Sequence, residues 1–290
     1  RINTLVSMDL NGELGEPAWR LREAYGEFIH DELDYSFLAG QTYSTALDLQ
    51  SVPESLDFAG PTGYYARRQP LVRFSKLFDH KVRLDIGADT PENAVYLDAD
   101  IRTQWPDVTV AGTWLADRDW ISHLRLQGTI RDLRAVDTVT GRGGNTGGWH
   151  FGLSGKINTP LFGEKDNFKF GVLYGDGFGG QLKSGPVDAA FNPTTLDLET
   201  VGVLSSYGGY QHWWTDKLRS SAIFGFLNAR NPSFMADERL ESTYYLSANI
   251  VWNPFEHVTI GLEYLYGNRE NVDGESGDAN RLLLSTKFDF

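Results

Sequence analysis

The chain has 290 residues, a formal net charge of −13 and no cysteine. The acidic balance argues against a nucleic-acid-binding protein, which needs a basic surface, and the lack of cysteine excludes disulfides, a thiol nucleophile and a cysteine zinc site. No stretch approaches the roughly 18–20 apolar residues of a membrane helix. This does not exclude membrane strands, whose average hydropathy is neutral because one face meets lipid and the other meets water.

Stretches of alternating apolar and polar residues follow one another along the chain, and each predicts a β-strand. Most are longer than the typical soluble strand of about 5–6 residues and long enough to cross a bilayer at a tilt of about 45°. The fourteen stretches are 2–11, 18–29, 33–43, 63–77, 80–89, 106–115, 119–135, 147–162, 166–178, 198–214, 217–230, 241–253, 257–270 and 280–290.

The connections between these strands alternate between two classes. Short turns are predicted at 30–32, 78–79, 116–118, 163–165, 215–216 and 253–256. Longer links are predicted at 12–17, 44–62, 90–105, 135–146, 179–197, 231–240 and 271–279. A meander that crosses a membrane has short periplasmic turns at one rim and long external loops at the other. The alternation therefore predicts an all-β fold: a transmembrane antiparallel up-and-down β-barrel that occupies 1–290 as a single domain.

The last strand shows the two faces clearly. In 281–290, Leu282, Leu284 and Phe288 alternate with Arg281 and Lys287. Half-apolar strands with an unpaired edge invite aggregation, so we expect this strand to be sealed in a barrel, with its apolar face toward lipid. Aromatic residues near the short turns fit an interfacial girdle, and these are Phe78, Trp114, Phe162, Trp213, Trp214, Trp252, Phe288 and Phe290.

Three residues interrupt this pattern. Glu23 falls on the lipid face if Arg20 and Arg22 point inward, and Arg68 and Pro70 lie on the outer face of their strand. A charge near the rim costs only about 0–1 kcal/mol, against about 2–4 kcal/mol for Arg or Lys at the midplane. Rim positions, a subunit interface or a β-bulge would each accommodate these residues.

The predicted lumen face is basic, although the chain as a whole is acidic. Its basic residues are Arg20, Arg22, Arg67, Arg73, Lys81, Arg83, Arg125, Arg131, Lys156, Lys169, Arg219 and Lys287, and its acidic residues are chiefly Asp9, Asp85, Glu263 and Asp289. Rings of Arg and Lys select for anions, and a guanidinium matches the geometry of a carboxylate. The alternative is that these residues pair with inward acids or simply solvate a wide lumen.

The link 44–62 is too apolar for a loop that hangs in water, because it contains Leu47, Leu49, Val52, Leu56 and Phe58. We expect it to fold inward and narrow the pore. The alternative is packing on a neighbouring subunit. Its candidate constriction residues are Asp48, Pro53, Glu54, Asp57 and Phe58.

Several segments resemble the DcaP-like porin family. They are RLREAYGEF at 20–28, LAGQTYSTALDLQSVPESLDFAGPTG at 38–63, RRQPLVRF at 67–74, WWTDKLRS at 213–220 and FGFLNAR at 224–230. The resemblance implies a trimeric, typically sixteen-stranded porin of the Gram-negative outer membrane that takes up dicarboxylates and other small anions. It also implies that 44–62 is the constriction loop and that Arg20, Arg22, Arg67 and Arg73 line the pore beside it.

We therefore expect passive diffusion of small anionic solutes, with Arg83, Arg125 and Arg131 as further pore-lining residues. Two strands before Ile2 would complete sixteen. A general or cation-preferring porin remains an alternative, and an outer-membrane barrel enzyme is a more remote one. No metal site or cofactor is predicted; the expected partners are the solutes, outer-membrane lipid, lipopolysaccharide and copies of the same chain.

Overall fold

The computed structural model describes residues 1–10, 18–96, 99–118, 121–159 and 162–289. Within them no helix is long and apolar enough to cross a membrane. Two single-turn 3-10 helices lie at Leu49–Ser51 and Gly179–Gln181. The strands are β1 (Ile2–Leu10), β2 (Trp19–His30), β3 (Tyr35–Tyr43), β4 (Arg68–Phe78), β5 (Val82–Asp89), β6 (Val95–Tyr96), β7 (Ala99–Ile101), β8 (Asp107–Arg118), β9 (Ile121–Asp137), β10 (Gly143–Asn158), β11 (Asn167–Asp176), β12 (Ala189–Phe191), β13 (Leu198–Thr200), β14 (Gly202–Thr215), β15 (Leu218–Arg230), β16 (Leu240–Trp252), β17 (Val258–Asn271) and β18 (Ser276–Phe288).

Fourteen strands form one antiparallel path, in the order β1-β2-β3-β4-β5-β8-β9-β10-β11-β14-β15-β16-β17-β18. The predicted all-β, up-and-down architecture is thus confirmed. Among the described residues β1 and β18 end this path and do not pair with each other. The prediction that two further strands precede Ile2 concerns residues outside this sequence and stays a prediction.

Three short strands, β6, β7 and β12, were not predicted from the sequence. β7 pairs with β9, while β6, β12 and β13 form a separate three-stranded sheet. Boundaries next to two long links also differ from the prediction: β4 begins at Arg68 rather than at residue 63, and the predicted strand 198–214 is divided into β13 and β14. Each difference lies in or beside a long link, where chain that packs inside the barrel also has an apolar pattern.

The two faces of the long strands are clearest in β9. Its side chains alternate between buried and accessible along nearly the whole strand, with Arg125 and Arg131 buried on one face and Leu126 and Ile130 each 65% exposed on the other. β18 presents Leu282, Leu284 and Phe288 outward in the same way. Apolar residues that are exposed in regular alternation are the outward band expected of a membrane barrel.

The connections keep the predicted alternation. Short turns follow β2, β4, β14 and β16, and longer loops follow β3, β5, β11 and β15. The links after β9 and β17 are shorter than predicted, because the strands that flank them are longer. The predicted turn at 116–118 belongs to β8. The predicted link 12–17 and Phe290 lie outside the described residues.

A β-bulge in β2 corrects the expected orientation of Glu23. Ser7 pairs with Glu23 and Met8 pairs with Leu21, so Arg22 is an extra residue in this strand. The bulge shifts the alternation by one position, and Glu23 therefore turns to the same face as Arg20. Its carboxylate accepts a hydrogen bond from the buried hydroxyl of Thr42 at 3.0 Å. Of the three ways in which the sequence analysis accommodates Glu23, the structure has the β-bulge, and Glu23 does not face lipid.

The main hydrophobic cluster lies inside the curved sheet rather than between layers. Strand residues such as Leu173, Val203 and Leu227 pack there with Leu47 and Leu182 from two loops. We call this cluster, together with loop residues 177–188 and 231–239, the plug. Because the loop after β3 makes hydrogen bonds to both β5 and β17, the sheet must curve around it, so these loops occupy the lumen.

Candidate functional site: the channel constriction

The segment 44–62, which we call the constriction loop, follows the inner wall of the barrel nearly in strand order. It begins with the Thr45 amide donating to Asp89 of β5 at 3.2 Å. It ends with the Leu56 amide donating to Glu263 of β17 at 2.8 Å. Among the described residues none of its hydrogen bonds ends on β1, β2 or β4. The predicted inward fold of this loop is therefore what the structure has.

Three carboxylates of the constriction loop point at the wall and not at open water. Asp48 Oδ2 accepts hydrogen bonds from His123 Nε2 at 2.8 Å and from Ser154 Oγ at 2.7 Å. Glu54 takes a two-pronged contact from Arg219, at 2.7 and 2.6 Å. The side chain of Asp57 is 13% exposed, and Arg281 lies 3.9 Å from it. These acids therefore anchor the loop.

The pKa of Asp48 reflects this anchoring. Burial acts to raise it, but the hydrogen bonds from His123 and Ser154, together with the charge of Arg125, outweigh burial. The pKa of Asp48 consequently lies below its ordinary value of 3.8. Asp48 stays ionised wherever the loop is in place at neutral pH.

Glycines on the inner wall make room for the constriction loop. A Cβ on Gly261 would lie 2.6 Å from Leu56 Cδ1, and a Cβ on Gly209 would lie 2.6 Å from Pro53 Cβ. A Cβ on Gly225 would lie 2.5 Å from the carbonyl oxygen of Thr62. Real side chains do not tolerate such distances, so the loop can approach the wall only where these strands lack a side chain.

Several predicted pore residues serve instead as internal anchors. Arg131 is fully buried, 3.0 Å from Asp107 and 3.2 Å from Asp188. The guanidinium of Arg125 contacts Asp85 at 2.8 Å and the carbonyl oxygen of Thr45 at 2.7 Å. These contacts explain why a basic position on the lumen face need not meet the solute.

Arg67 joins two long loops. It donates to the carbonyl oxygen of Gly180 and lies 3.0 Å from Glu92. Asp188, which belongs to the plug, is buried with Arg131, and burial raises the pKa of its carboxyl. The predicted set of pore arginines is thus divided, and Arg67 and Arg131 lie on the plugged side.

The remaining predicted arginines face water. Arg20 and Arg22 share the carboxylate of Asp9, at 2.7 and 3.0 Å. Arg83 contacts Asp85 at 2.7 Å and is 43% exposed. Arg73 is partly accessible, and among the described residues it makes no hydrogen bond or ion pair. We call the lumen side formed by Arg20, Arg22, Arg73 and Arg83 the open wall.

The open wall carries carboxylates as well as guanidinium groups. Asp9 serves two arginines, and Asp85 is shared between Arg83 and Arg125. Asp89, a further acid near this wall, is 1% exposed and is covered by the start of the constriction loop. Glu23 and Glu27 also lie on this inner face, since Glu27 pairs with Leu38 and Leu38 pairs with Arg73. Arg73 is the arginine of this wall that forms no ion pair with a described residue.

Phe58 is the most exposed of the predicted constriction residues, at 70%. It follows the anchored stretch of the loop and precedes the return segment, where Tyr65 bridges to Leu182 of the plug. Pro53, by contrast, is buried against the wall. Phe58 is thus the tip of the loop that remains free in the lumen.

Sequence reasoning missed the part of the plug that lies after β11. Residues 177–188 bridge the return arm of the constriction loop through the Lys183 amide and the carbonyl oxygen of Tyr64, at 3.0 Å. The available signal was a stretch rich in glycine and apolar residues inside a predicted external link.

Trp213, predicted for the girdle, instead stacks under Arg219 at 5.1 Å. In the described part of the chain no group of three or more His, Asp or Glu side chains is placed to hold a metal ion.

A family model described as DcaP outer membrane protein matches residues 5–290. No curated protein matches the chain. Among solved structures the chain is similar to the outer membrane channel DcaP of Acinetobacter baumannii, with 18% identity and a TM-score of 0.86, covering 100% of this chain and 80% of that chain.

Two more distant solved structures share the fold. Pseudomonas putida OprB at high pH has 12% identity and a TM-score of 0.59, with coverage of 97% of this chain and 76% of that chain. The trimer form of in-vitro folded OmpT of Vibrio cholerae has 10% identity and a TM-score of 0.56, with coverage of 99% and 96% respectively.

Proposed function

Because this chain belongs to the DcaP family of outer-membrane proteins, and is therefore a porin of the Gram-negative outer membrane, we propose that it passes small anionic solutes by passive diffusion. Dicarboxylates are the substrate class that we favour. The solute path runs between the constriction loop and the open wall. The proposal includes no catalytic step and no cofactor.

The observation that carries this proposal is the guanidinium of Arg73, which is partly accessible and makes no hydrogen bond or ion pair to a described residue. The loop acids Asp48 and Glu54, by contrast, point at the wall and make anchoring contacts there. In a narrow pore with low-dielectric walls the charge of Arg73 is focused along the path. Anions are therefore attracted where the pore is narrowest, and cations are repelled.

Dicarboxylates suit this wall for a chemical reason. A guanidinium presents paired donors that match a carboxylate, and several guanidinium groups along one wall can hold two carboxylates of one solute in turn. A general or cation-preferring porin remains the competing proposal. It would require the acids of the loops to set the selectivity, although those on the constriction loop are anchored.

We also propose a homotrimer and contact with lipopolysaccharide. The trimer form of OmpT is a structural neighbour. The loops at the long-loop rim carry exposed carboxylates, such as Asp273 and Glu275. Divalent cations between these carboxylates and lipid phosphates would join the protein to the outer leaflet.

The test is the reversal potential of single channels in a salt gradient. Wild type is expected to prefer anions, and Arg73→Gln to lose several-fold in the anion-to-cation permeability ratio. Arg134→Gln is the matched control, since Arg134 pairs with Asp132 at 2.6 Å and lies away from the open wall. Cation preference in wild type, or equal selectivity in all three proteins, would overturn the proposal.

The dicarboxylate part needs a separate measurement. Liposome swelling rates are compared for succinate, acetate and an uncharged solute of similar size. Succinate should enter faster than the uncharged solute, and this advantage should shrink in Arg73→Gln. Equal swelling rates for succinate and the uncharged solute would mean that the pore does not favour dicarboxylates.

A further inference from the structure

Two lysines face each other on the inner wall beside the constriction loop. Lys156 of β10 is directly opposite Lys169 of β11 in the ladder. Both point inward: Lys156 lies on the same face as Ser154, which donates to Asp48 of the loop, and Lys169 donates to the loop itself. Like charges directly opposite each other in a ladder destabilise a sheet, so this pair needs a reason.

No carboxylate of the described residues forms an ion pair with either lysine. Neither ammonium group has an acidic oxygen within the 4.0 Å of an ion pair. The loop acids whose charge reaches Lys169 are Glu54 and Asp48. Glu54 is paired with Arg219, whereas Asp48 is hydrogen-bonded to His123 and Ser154 and keeps its own charge. One carboxylate near two lysines leaves more positive than negative charge at this point of the wall.

The constriction loop fixes the geometry of one of the two. Lys169 Nζ donates to the carbonyl oxygen of Val52 at 3.1 Å, while Lys156 makes no hydrogen bond or ion pair to a described residue. An ammonium has three donors and no acceptor. Two N–H groups of Lys169 and three of Lys156 are then uncommitted, and both side chains are only partly buried.

We propose that Lys156 and Lys169 form a binding station for small dianions, beside the constriction loop and separate from the open wall. The chemistry selects a solute with two anionic oxygens that bridge both ammonium groups, as an organic dicarboxylate does. The proposal rests on the proposed function, because it takes small anions as the solutes that pass through this pore. It adds a second stop for the solute, on the side of the lumen that the constriction loop covers.

A purely structural role would make a different prediction. Lys169 could serve only to hold the Val52 carbonyl, and in that case Lys156 would be dispensable. Lys156 is therefore the informative residue, because its replacement removes no contact within the described protein. Replacing it by glutamate places a carboxylate opposite Lys169, which favours the ladder and cancels the station.

The experiment measures block of single-channel chloride current by succinate, with acetate as the monoanion. In wild type succinate should bind more tightly than acetate. Lys156→Met should weaken the succinate block about tenfold, the effect expected when one charge-assisted contact is lost, and Lys156→Glu should abolish it. Block by acetate should change little. Heat-modifiable gel mobility checks that both variants fold.

The matched control is Lys287→Met, which removes one lysine charge at a site where Asp289 lies 2.8 Å from the ammonium. Succinate block should be unchanged there. Equal block in wild type and both Lys156 variants would overturn the station. Loss of the block at Lys156 in a channel without anion preference would support the station and refute the proposed function, so the two failures are distinguishable.

Discussion

The two sides of the lumen use the same residue type for opposite purposes. On the open wall the arginines are accessible, and Arg20 and Arg22 share the single carboxylate of Asp9. On the plugged side Arg131 is buried between two carboxylates, and Arg219 binds both oxygens of Glu54. An arginine on the lumen face is thus accessible to solutes where no loop covers it, and it stabilises the fold where a loop does.

This contrast links stability to one side and selectivity to the other. A buried charge pair that loses one partner leaves the other charge uncompensated, at a large cost. A partly exposed arginine without a partner can be removed at little cost to the fold. Exchanging one residue on each side should therefore give opposite phenotypes.

The largest expected effect is on stability, from Arg131→Met. The change leaves Asp107 and Asp188 buried without their shared cation, which costs about 3–5 kcal/mol. Thermal unfolding in detergent, followed by circular dichroism, should show a lower midpoint, while ion selectivity is retained in the folded fraction. Arg73→Met is the comparison, and it should unfold like wild type. Equal midpoints for both variants would mean that the plug does not depend on this cluster.

The next largest effect is on conductance, from a change at the point where the constriction loop packs against β17. Gly261→Leu places side-chain atoms where Leu56 now packs, and overpacking of this kind costs about 1–3 kcal/mol. The loop should leave the wall more often, and single-channel conductance and its fluctuations should rise.

The control for this change is Gly112→Leu, because a Cβ at Gly112 would meet nothing within 4 Å. Its conductance should match that of wild type. If Gly261→Leu also behaves like wild type, then the loop does not set the pore width at this point.

The strands and the constriction loop were predictable from the sequence because both depend on local patterns of apolar and polar residues. Alternation in 121–135 fixes which residues of β9 face inward, and the apolar residues of 44–62 exclude a solvated loop. The chain therefore predicts the wall, the alternation of turns and loops, and the segment that enters the lumen.

The division of the arginines was not predictable in the same way. Alternation places Arg73 and Arg131 on the same face, and nothing local shows that Asp188 will reach Arg131 from another loop. The inward turn of Glu23 depends on an unpaired Arg22 in the ladder with β1. Such contacts join residues far apart in sequence, so only the folded chain reveals them.

A smaller effect concerns pH and the attachment of Asp48 to the plugged side. Because the pKa of Asp48 is lowered in the folded state, its anchoring is fully present above its ordinary value of 3.8 and is lost as pH falls through the lowered value. Conductance should be constant from neutral pH down to about pH 4 and should change only below it. In Asp48→Asn this acid transition should vanish. A transition near pH 6 in wild type would point to a group other than Asp48.

The smallest effect concerns Phe58, the free tip of the constriction loop. Its ring is 70% exposed, so Phe58→Ala should change stability by no more than about 0.5 kcal/mol. If the ring faces the open wall across the solute path, then its loss widens the path, and conductance should rise modestly without a change in selectivity. Phe58→Trp should lower the conductance for the same reason.

Phe255→Ala is the matched control, since Phe255 is 72% exposed in the turn after β16, and its conductance should equal that of wild type. If Phe58→Ala conducts like this control, then the ring lies outside the path and the anchored stretch of the loop alone sets the width. If Phe58→Ala instead shifts selectivity, then the tip acts on the arginines opposite it. Phe58 is uncharged and exposed. A change in conductance without a change in selectivity would therefore mean that the solute path runs between the loop tip and the open wall.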